Sequence, residues 1–297
     1  MKSIIIYFSQ TGNTKKVAQA IHKGTSQRVE LCDIAKMKEV SARDLIEYDL
    51  IGLGSPVWGG PPPNLKLFID TLTPLSGKHI FAFCTHGALP QNFFPMTVRL
   101  LEKKGLIVIG MGDWYGTVFM PPFPKPYFTD GHPDEVDLKE AEQFGREMVE
   151  LSRRISTGEI QLIPPQPKMK RFPKRPPGLL LRPKLHIQKC RYPECHLCMD
   201  HCPVDAIDLS VSPPVFAKSC RPCYFCEMIC PEGAIEVDYD VVAKATRWRA
   251  KQVYSKALDK AEAEGRFRRL VSKEDVDWDI PRYRVYKKHP RYVIPIE

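Results

Sequence analysis

Short apolar runs alternate with stretches of helical periodicity over the first half of the chain. The strand-like runs fall at 3–8, 28–32, 48–54, 79–84 and 106–111, and helical spacing of apolar positions fits 13–23, 64–72, 92–104 and 136–155. Strands that alternate with helices predict an α/β fold, a doubly wound five-stranded parallel sheet covered on both faces. Ligands in such folds bind at the carboxyl ends of strands, near a topological switch point. The pattern then breaks. Residues 164–184 hold seven prolines and seven Lys/Arg, a composition that favours an extended, semi-rigid strap. Helical spacing returns over 241–264 and stops near Gly265, before Arg266-Phe267-Arg268-Arg269 and a Tyr/Arg/Lys-rich end. The expected divisions are therefore 1–160, a linker at 161–189, a cysteine-rich module at 190–240 and a basic helical or extended tail at 241–297.

The strand ends carry the candidate chemistry of the first half. After the first strand, Ser9-Gln10-Thr11-Gly12-Asn13-Thr14 leads directly into a helix. Hydroxyl donors, a Gly for close backbone approach and a helix N-terminus together make a phosphate site. An ordinary N-capping turn also uses Ser and Thr, but needs fewer of them. The absence of a Walker A lysine disfavours a nucleoside triphosphate.

After the third strand comes Ser55-Pro56-Val57-Trp58-Gly59-Gly60-Pro61. A Trp in a Gly/Pro-rich loop needs something to pack on, either a flat ligand ring or its own domain. The fourth strand leads into Thr85-His86-Gly87. A Pro- and aromatic-rich segment at 117–133 precedes the last helix of this half and is expected to act as a lid, a docking surface or a rigid connector.

The first-strand loop S-x-T-G-N-T followed by P-V-W-G-G after strand three resembles the flavodoxin family over roughly residues 1–155. That resemblance implies FMN, with Ser9, Gln10, Thr11, Gly12, Asn13 and Thr14 around its phosphate. The loops Ser55, Pro56, Val57, Trp58, Gly59 and Thr85, His86, Gly87 would flank the isoalloxazine, with Trp58 stacked on it. Gly59 would let its peptide follow the protonation state of the flavin. Many flavodoxins cover the outer ring face with a Tyr in the third loop. Thr85-His86-Gly87-Ala88 has none, so the outer face is expected to be open.

Eight of the ten cysteines lie between Cys190 and Cys230. In a reducing compartment such crowding points to metal or cluster ligands rather than disulfides. Cys220, Cys223, Cys226 and Cys230, with Pro231, have the C-x2-C-x2-C-x3-C-P spacing of bacterial ferredoxins. Cys190, Cys195, Cys198 and Cys202, with Pro203, repeat it except that the first cysteine sits two residues early. The module thus resembles a two-[4Fe-4S] ferredoxin. The resemblance implies one cluster on Cys190, Cys195, Cys198 and Cys230, and another on Cys220, Cys223, Cys226 and Cys202. Cys190 has a rival outcome, a three-iron cluster lacking it. Zinc is the rival for the module as a whole. Pro203-Val204-Asp205-Ala206-Ile207 and Pro231-Glu232-Gly233-Ala234-Ile235 are alike, as a duplicated fold predicts. Cys32 and Cys84 stand apart and are expected to be buried structural thiols.

The net charge of +9 is unevenly spread. Residues 1–160 are neutral, 161–189 carry eight basic residues and no acid, 190–240 carry −6 and 241–297 carry +7. Two oxidised clusters on eight thiolates add about −4 and an FMN phosphate about −2, so the loaded chain is only mildly cationic. Nucleic-acid binding is therefore not expected, and the basic tail is assigned first to contacts with its own protein and next to partner docking. No apolar run approaches the ~20 residues of a membrane span, and no signal-peptide pattern opens the chain, so a cytoplasmic location is expected.

Fusion of these parts resembles flavodoxin–ferredoxin electron carriers of anaerobic bacteria and archaea. Clusters pass single electrons while flavin takes one or two, so the pair implies a low-potential converter between redox protein partners. The alternatives are an FMN-dependent reductase of a quinone or metal complex, and a zinc-containing, non-redox binding protein.

Overall fold

A computed structural model describes residues 1–41, 44–174, 181–211 and 215–285. Residues 175–180 of the expected strap and 286–297 of the expected tail lie outside the described residues. The chain divides into two compact units. One is Met1–Thr117 with Gly131–Arg171; the other is Val118–Asp130 with the described part of Phe172–Glu297.

The first unit is a five-stranded parallel sheet. Its strands are β1 (Lys2–Tyr7), β2 (Leu31–Lys36), β3 (Leu50–Pro56), β4 (His79–His86) and β5 (Ile107–Tyr115), in the order β2-β1-β3-β4-β5. The helices are α1 (Asn13–Ser26), α2 (Pro63–Thr71), α3 (Phe93–Glu102) and α4 (Glu135–Ser156). Successive side chains of a strand point to opposite faces, and here both faces are covered. Ile4, Ile6, Ile51, Leu53, Ile80 and Ala82 face Leu65 and Ile69 of α2 and Phe93 and Leu101 of α3. Ile5, Leu50, Phe81 and Phe83 face Val17 and Ile21 of α1 and Val149 of α4. The near-continuous apolar runs of β1, β3 and β4 follow from burial on two sides.

β2 departs from expectation. The Arg-Val-Glu-Leu-Cys alternation suggested 28–32, but the strand starts at Leu31, opposite Lys2. α1 runs on to Ser26, and Arg28 then donates its N–H to the Thr25 carbonyl at 2.9 Å, so the turn occupies the residues read as strand. As an edge strand it is only half-buried, which blurs its pattern.

α1 and α4 lie backbone against backbone. A Cβ built on Gly24 would stand 1.8 Å from the Glu142 carbonyl oxygen, and one on Gly145 2.3 Å from the Ile21 carbonyl oxygen. α4 starts at a reciprocal cap, in which Asp134 accepts from Val136 and Asp137 while the Asp137 carboxylate accepts from the Asp134 N–H at 2.8 Å.

In the second unit the cysteine module has two short antiparallel pairs. β6 (Lys184–Leu185) pairs with β9 (Ile235–Glu236), and β7 (Ile207–Asp208) with β8 (Val215–Phe216). Two short helices, α5 (Leu197–Asp200) and α6 (Phe225–Ile229), complete it. The like pentapeptides take like structures. Asp205 and Gly233 both have positive φ, +46° and +58°. His186 and Ala217 each donate an N–H, at 2.8 Å, to the Ala234 and Ala206 carbonyls respectively. Beyond the module, α7 (Tyr239–Arg249), a π-helical turn (Ala250–Tyr254) and α8 (Ser255–Ala263) continue one another and end at Gly265, φ +70°. A last short helix is α9 (Arg282–Val285).

The same unit takes in Val118–Asp130. Arg282 donates its N–H to the Phe123 carbonyl at 2.7 Å, and Tyr283 to the Pro121 carbonyl at 3.1 Å. Phe123 and Tyr127 pack on Trp278, and the Arg269 guanidinium lies 5.5 Å above the Phe128 ring. Several described arginines of the extension bond within their own chain: Arg247 with Asp279, Arg269 with Asp259 and Glu262, Arg284 with Asp240, and Arg249 with the Pro173 carbonyl.

Candidate functional site: strand-end loops and two cysteine cavities

The carboxyl ends of β1, β3, β4 and β5 come together as the fold requires. Gly12 has φ +89°, and nothing lies within 4 Å of the place where its Cβ would be. Its N–H donates to the Ser9 hydroxyl at 3.2 Å, and no side chain caps α1. An uncapped helix N-terminus behind an open glycine suits an anion, since the first-turn N–H groups find no partner within a helix. Thr14 and Thr85 join the first and third loops through their hydroxyls, 2.7 Å apart and buried. Asn13 donates its side-chain amide to the Thr117 carbonyl at 2.8 Å. Gln10 and Thr11 complete the loop, half-exposed.

In the second loop Val57 donates to the Thr85 carbonyl, and Trp58 to the Gly60 carbonyl, both at 3.0 Å, around Gly59 with φ +85°. Ser55 is buried and its hydroxyl donates to the Pro56 carbonyl. Trp58 is half-buried and meets Phe8 edge-on, ring centroids 6.1 Å apart. The third loop holds a group of side chains that strand prediction did not collect. β5 extends four residues past 111, which brings Asp113 and Tyr115 beside His86. His86 Nε2 is 2.8 Å from an Asp113 carboxylate oxygen, and the Tyr115 ring meets the imidazole edge-on at 4.7 Å. His86 is buried and its Nδ1 has no hydrogen-bond partner, so it offers one ring nitrogen to a ligand. The Gly-Asp-Trp-Tyr run directly after the predicted strand is the available signal. Gly87 follows, half-buried.

The eight clustered cysteines separate into two sets. Cys190, Cys195, Cys198 and Cys230 line one cavity, with Leu185 and Ile235. Cys202, Cys220, Cys223 and Cys226 line another, with Tyr224 and Phe225. The last cysteine of each run has crossed to the other run's cavity. The long Cys190–Cys195 loop closes through a turn in which Cys195 donates its N–H to the Arg191 carbonyl at 3.0 Å. Cys190 and Cys220 each donate an N–H three residues back at 3.0 Å, to the Ile187 and Ala217 carbonyls, so they occupy matching places. Ala206 and Ala234 donate N–H groups to the sulfurs of Cys202 and Cys230, at 3.2 and 3.3 Å.

Burial and then the neighbouring Cys230, Cys190 and Cys195 push the Cys198 thiol up to about 12. Burial, followed by Cys223, Cys198, Cys220 and Cys202, raises Cys226 as well. Without a ligand these sulfurs favour the neutral thiol; a bound metal or cluster would supply the positive charge that holds them as thiolates. Cys84 is fully buried and Cys32, contrary to expectation, only half-buried; desolvation raises both, Cys32 to about 12, so neither is a ready nucleophile. Among the described residues, the one grouping of three ligand atoms within 4.8 Å of one another is His132, Asp134 and Asp137, at the α4 cap.

A flavodoxin domain family model matches residues 4–94. A flavodoxin from Clostridium beijerinckii is 30% identical over 151 residues, covering 50% of this chain and 99% of that protein. The N-terminal half belongs to the flavodoxin family. Among solved structures, a flavodoxin from the domain Archaea overlays with a TM-score of 0.41 at 24% identity, over 52% of this chain and 99% of its own. Elsewhere a ferredoxin from Methanothermococcus thermolithotrophicus is 37% identical over 51 residues, covering 16% of this chain and 85% of that protein. The flavodoxin domain implies FMN and electron transfer. The open Gly12 cradle, the uncapped α1 and the unpartnered His86 nitrogen fit that group. No helix among the described residues is long and apolar enough to cross a membrane.

Proposed function

We propose that this protein is an iron–sulfur flavoprotein that passes single electrons between FMN and two [4Fe-4S] clusters, acting as a one-/two-electron converter between redox protein partners. The observation that carries this reading is the sorting of eight cysteines into two cavities of four, each completed by the last cysteine of the other run. One cluster is held by Cys190, Cys195, Cys198 and Cys230, the other by Cys202, Cys220, Cys223 and Cys226. The N–H groups of Ala206 and Ala234, aimed at ligand sulfurs, are of the kind that tunes cluster potential. FMN supplies a centre that accepts one or two electrons. Ser9, Thr11, Gly12, Asn13 and Thr14 bind its phosphate, while Trp58 and His86 flank its ring.

Sulfur spacing favours clusters over zinc. Zn–S bonds of ~2.3 Å in a tetrahedron put thiolates about 3.8 Å apart, whereas the cysteine sulfurs form no group of three within 4.8 Å. A cube of four irons holds its thiolates farther apart. The test is anaerobic purification with FMN, iron, sulfide and zinc quantitation, and an EPR spectrum after reduction. About one FMN and eight irons, with interacting cluster signals, is the expected result. Zinc without flavin would sink the reading.

A further inference from the structure

The two cysteine runs repeat each other closely enough to be compared position by position. Cys195-His196-Leu197-Cys198 corresponds to Cys223-Tyr224-Phe225-Cys226, and His196 and Tyr224 directly precede α5 and α6. Leu197 and Phe225 each line the cavity of their own run. His196 and Tyr224 differ. His196 is exposed, has φ −131°, pairs with Asp200 at 3.3 Å and takes no part in the first cavity's wall. Tyr224 is 1% exposed, has φ +61° and lines the second cavity. A tyrosine in the left-handed region is strained, because its Cβ crowds the backbone there. Such strain persists where packing enforces it, commonly at ligand sites. Val237, Tyr239 and Val242 supply that packing.

The Tyr224 hydroxyl is buried and has no hydrogen-bond partner among the described residues. Tyr239, edge-on to it with ring centroids 5.5 Å apart, donates its own hydroxyl to Glu227 at 2.7 Å. Burial raises the Tyr224 pKa, the Cys223 and Cys220 sulfurs add to the rise, and the Leu181 N–H acts against it. Both sulfurs belong to the second set of four, so the hydroxyl has ligands of that site as its electrostatic neighbours. A buried O–H without an acceptor is costly, and an acceptor held in the cavity relieves that cost. In the first cavity the charged wall residues, Arg191 and Glu232, pair with each other at 3.0 Å.

Resting on the carrier reading above, we infer that Tyr224 tunes the Cys202/Cys220/Cys223/Cys226 site: its O–H donates to a sulfur of the cluster held there and raises that site's reduction potential relative to the other. Reduction adds one electron from a redox partner and leaves more negative charge on the sulfurs. A hydrogen bond to sulfur stabilises that form more than the oxidised one. The proton stays on the tyrosine, and no covalent bond forms or breaks. Tyr224 thus makes the two halves of a duplicated module unequal.

The experiment is a redox titration of the full, loaded protein with dithionite, followed by EPR, in wild type, Tyr224→Phe and His196→Gln. FMN, iron, sulfide and zinc are measured on the same samples. Tyr224→Phe keeps the ring and its packing and removes the hydroxyl alone. One cluster midpoint should fall by about tenfold in the reduction equilibrium, about 59 mV for one electron, while the other stays. His196→Gln, at the matching place, should move neither. Combined with Cys190→Ala, which alters the first site, Tyr224→Phe should still shift the unaltered cluster. Unchanged midpoints in Tyr224→Phe with cofactors intact, equal shifts of both, or a shift confined to the site altered by Cys190→Ala overturn the inference alone. A wild-type protein that holds zinc or lacks iron–sulfur overturns the carrier reading and the inference with it.

Discussion

One guanidinium nitrogen of Arg282 lies 2.5 and 2.7 Å from the two carboxylate oxygens of Asp130, across 152 residues of sequence. The side chains are 4% and 18% exposed, so this is a pair largely withdrawn from water, and it fastens the C-terminal extension to the β5–α4 segment. Removing one partner strands the other charge. Arg282→Met should cost about 3 kcal/mol, and Asp130→Asn a similar amount. Because each loss is mostly the penalty on the stranded partner, the double variant should be about 1–3 kcal/mol more stable than the sum of the singles. Denaturant unfolding of the four proteins measures this; strict additivity would mean the pair is not formed.

The contact between α1 and α4 makes a sharper steric claim. Gly24→Ala puts a methyl 1.8 Å from the Glu142 carbonyl, which is backbone and has little room to yield. The helices must separate, at about 3 kcal/mol or more. Gly77→Ala is the comparison. Gly77 has φ +82° but open space around its Cβ, so only backbone strain of about 1–2 kcal/mol applies. Equal midpoint shifts for the two variants would contradict the close helix crossing.

What could be read from the sequence was what local spacing controls. Four parallel strands and all four helices of the first unit follow from two-sided burial and 3.6-residue periodicity. The two cysteine runs stand out by their spacing, but the exchange of the last cysteine between runs was implied only by the resemblance to ferredoxins. β2 was misplaced because an edge strand is half-wet and carries weak periodicity. Asp113 and Tyr115 were missed because the strand outran its apolar run, and what joins them to His86 is parallel register with β4. Arg282 meeting Asp130 leaves no local trace at all, since neither residue type nor spacing encodes a partner a hundred positions away.

Cys190 is the ligand with irregular spacing, and its role can be tested directly. Its N–H bonds as that of Cys220 does and it lines the first cavity, so Cys190→Ala should remove one iron, from about eight to about seven, and yield a three-iron EPR signal. Cys32→Ala, in the other unit, should leave iron content unchanged. An unaltered count in Cys190→Ala would show that a fourth ligand comes from elsewhere.

His79 sets a pH dependence of stability. It is buried at the start of β4, with Nδ1 2.7 Å from the Ser152 hydroxyl. Desolvation lowers its pKa below the usual 6.5, and the Asp49 charge opposes this only in part. The folded protein therefore binds this proton less readily than the unfolded chain. Stability from the neutral imidazole is fully present above about pH 6.5 and is lost as pH falls through the lower, folded-state value. Thermal unfolding of the full chain should show a midpoint that declines on acidification from pH 7.5 to pH 5. His79→Gln, which keeps a hydrogen-bonding side chain but cannot titrate, should start lower at pH 7.5 and decline less. Parallel declines for wild type and variant would assign the acid sensitivity to carboxylates such as Glu142, which Lys23 and Arg146 hold down at about 2.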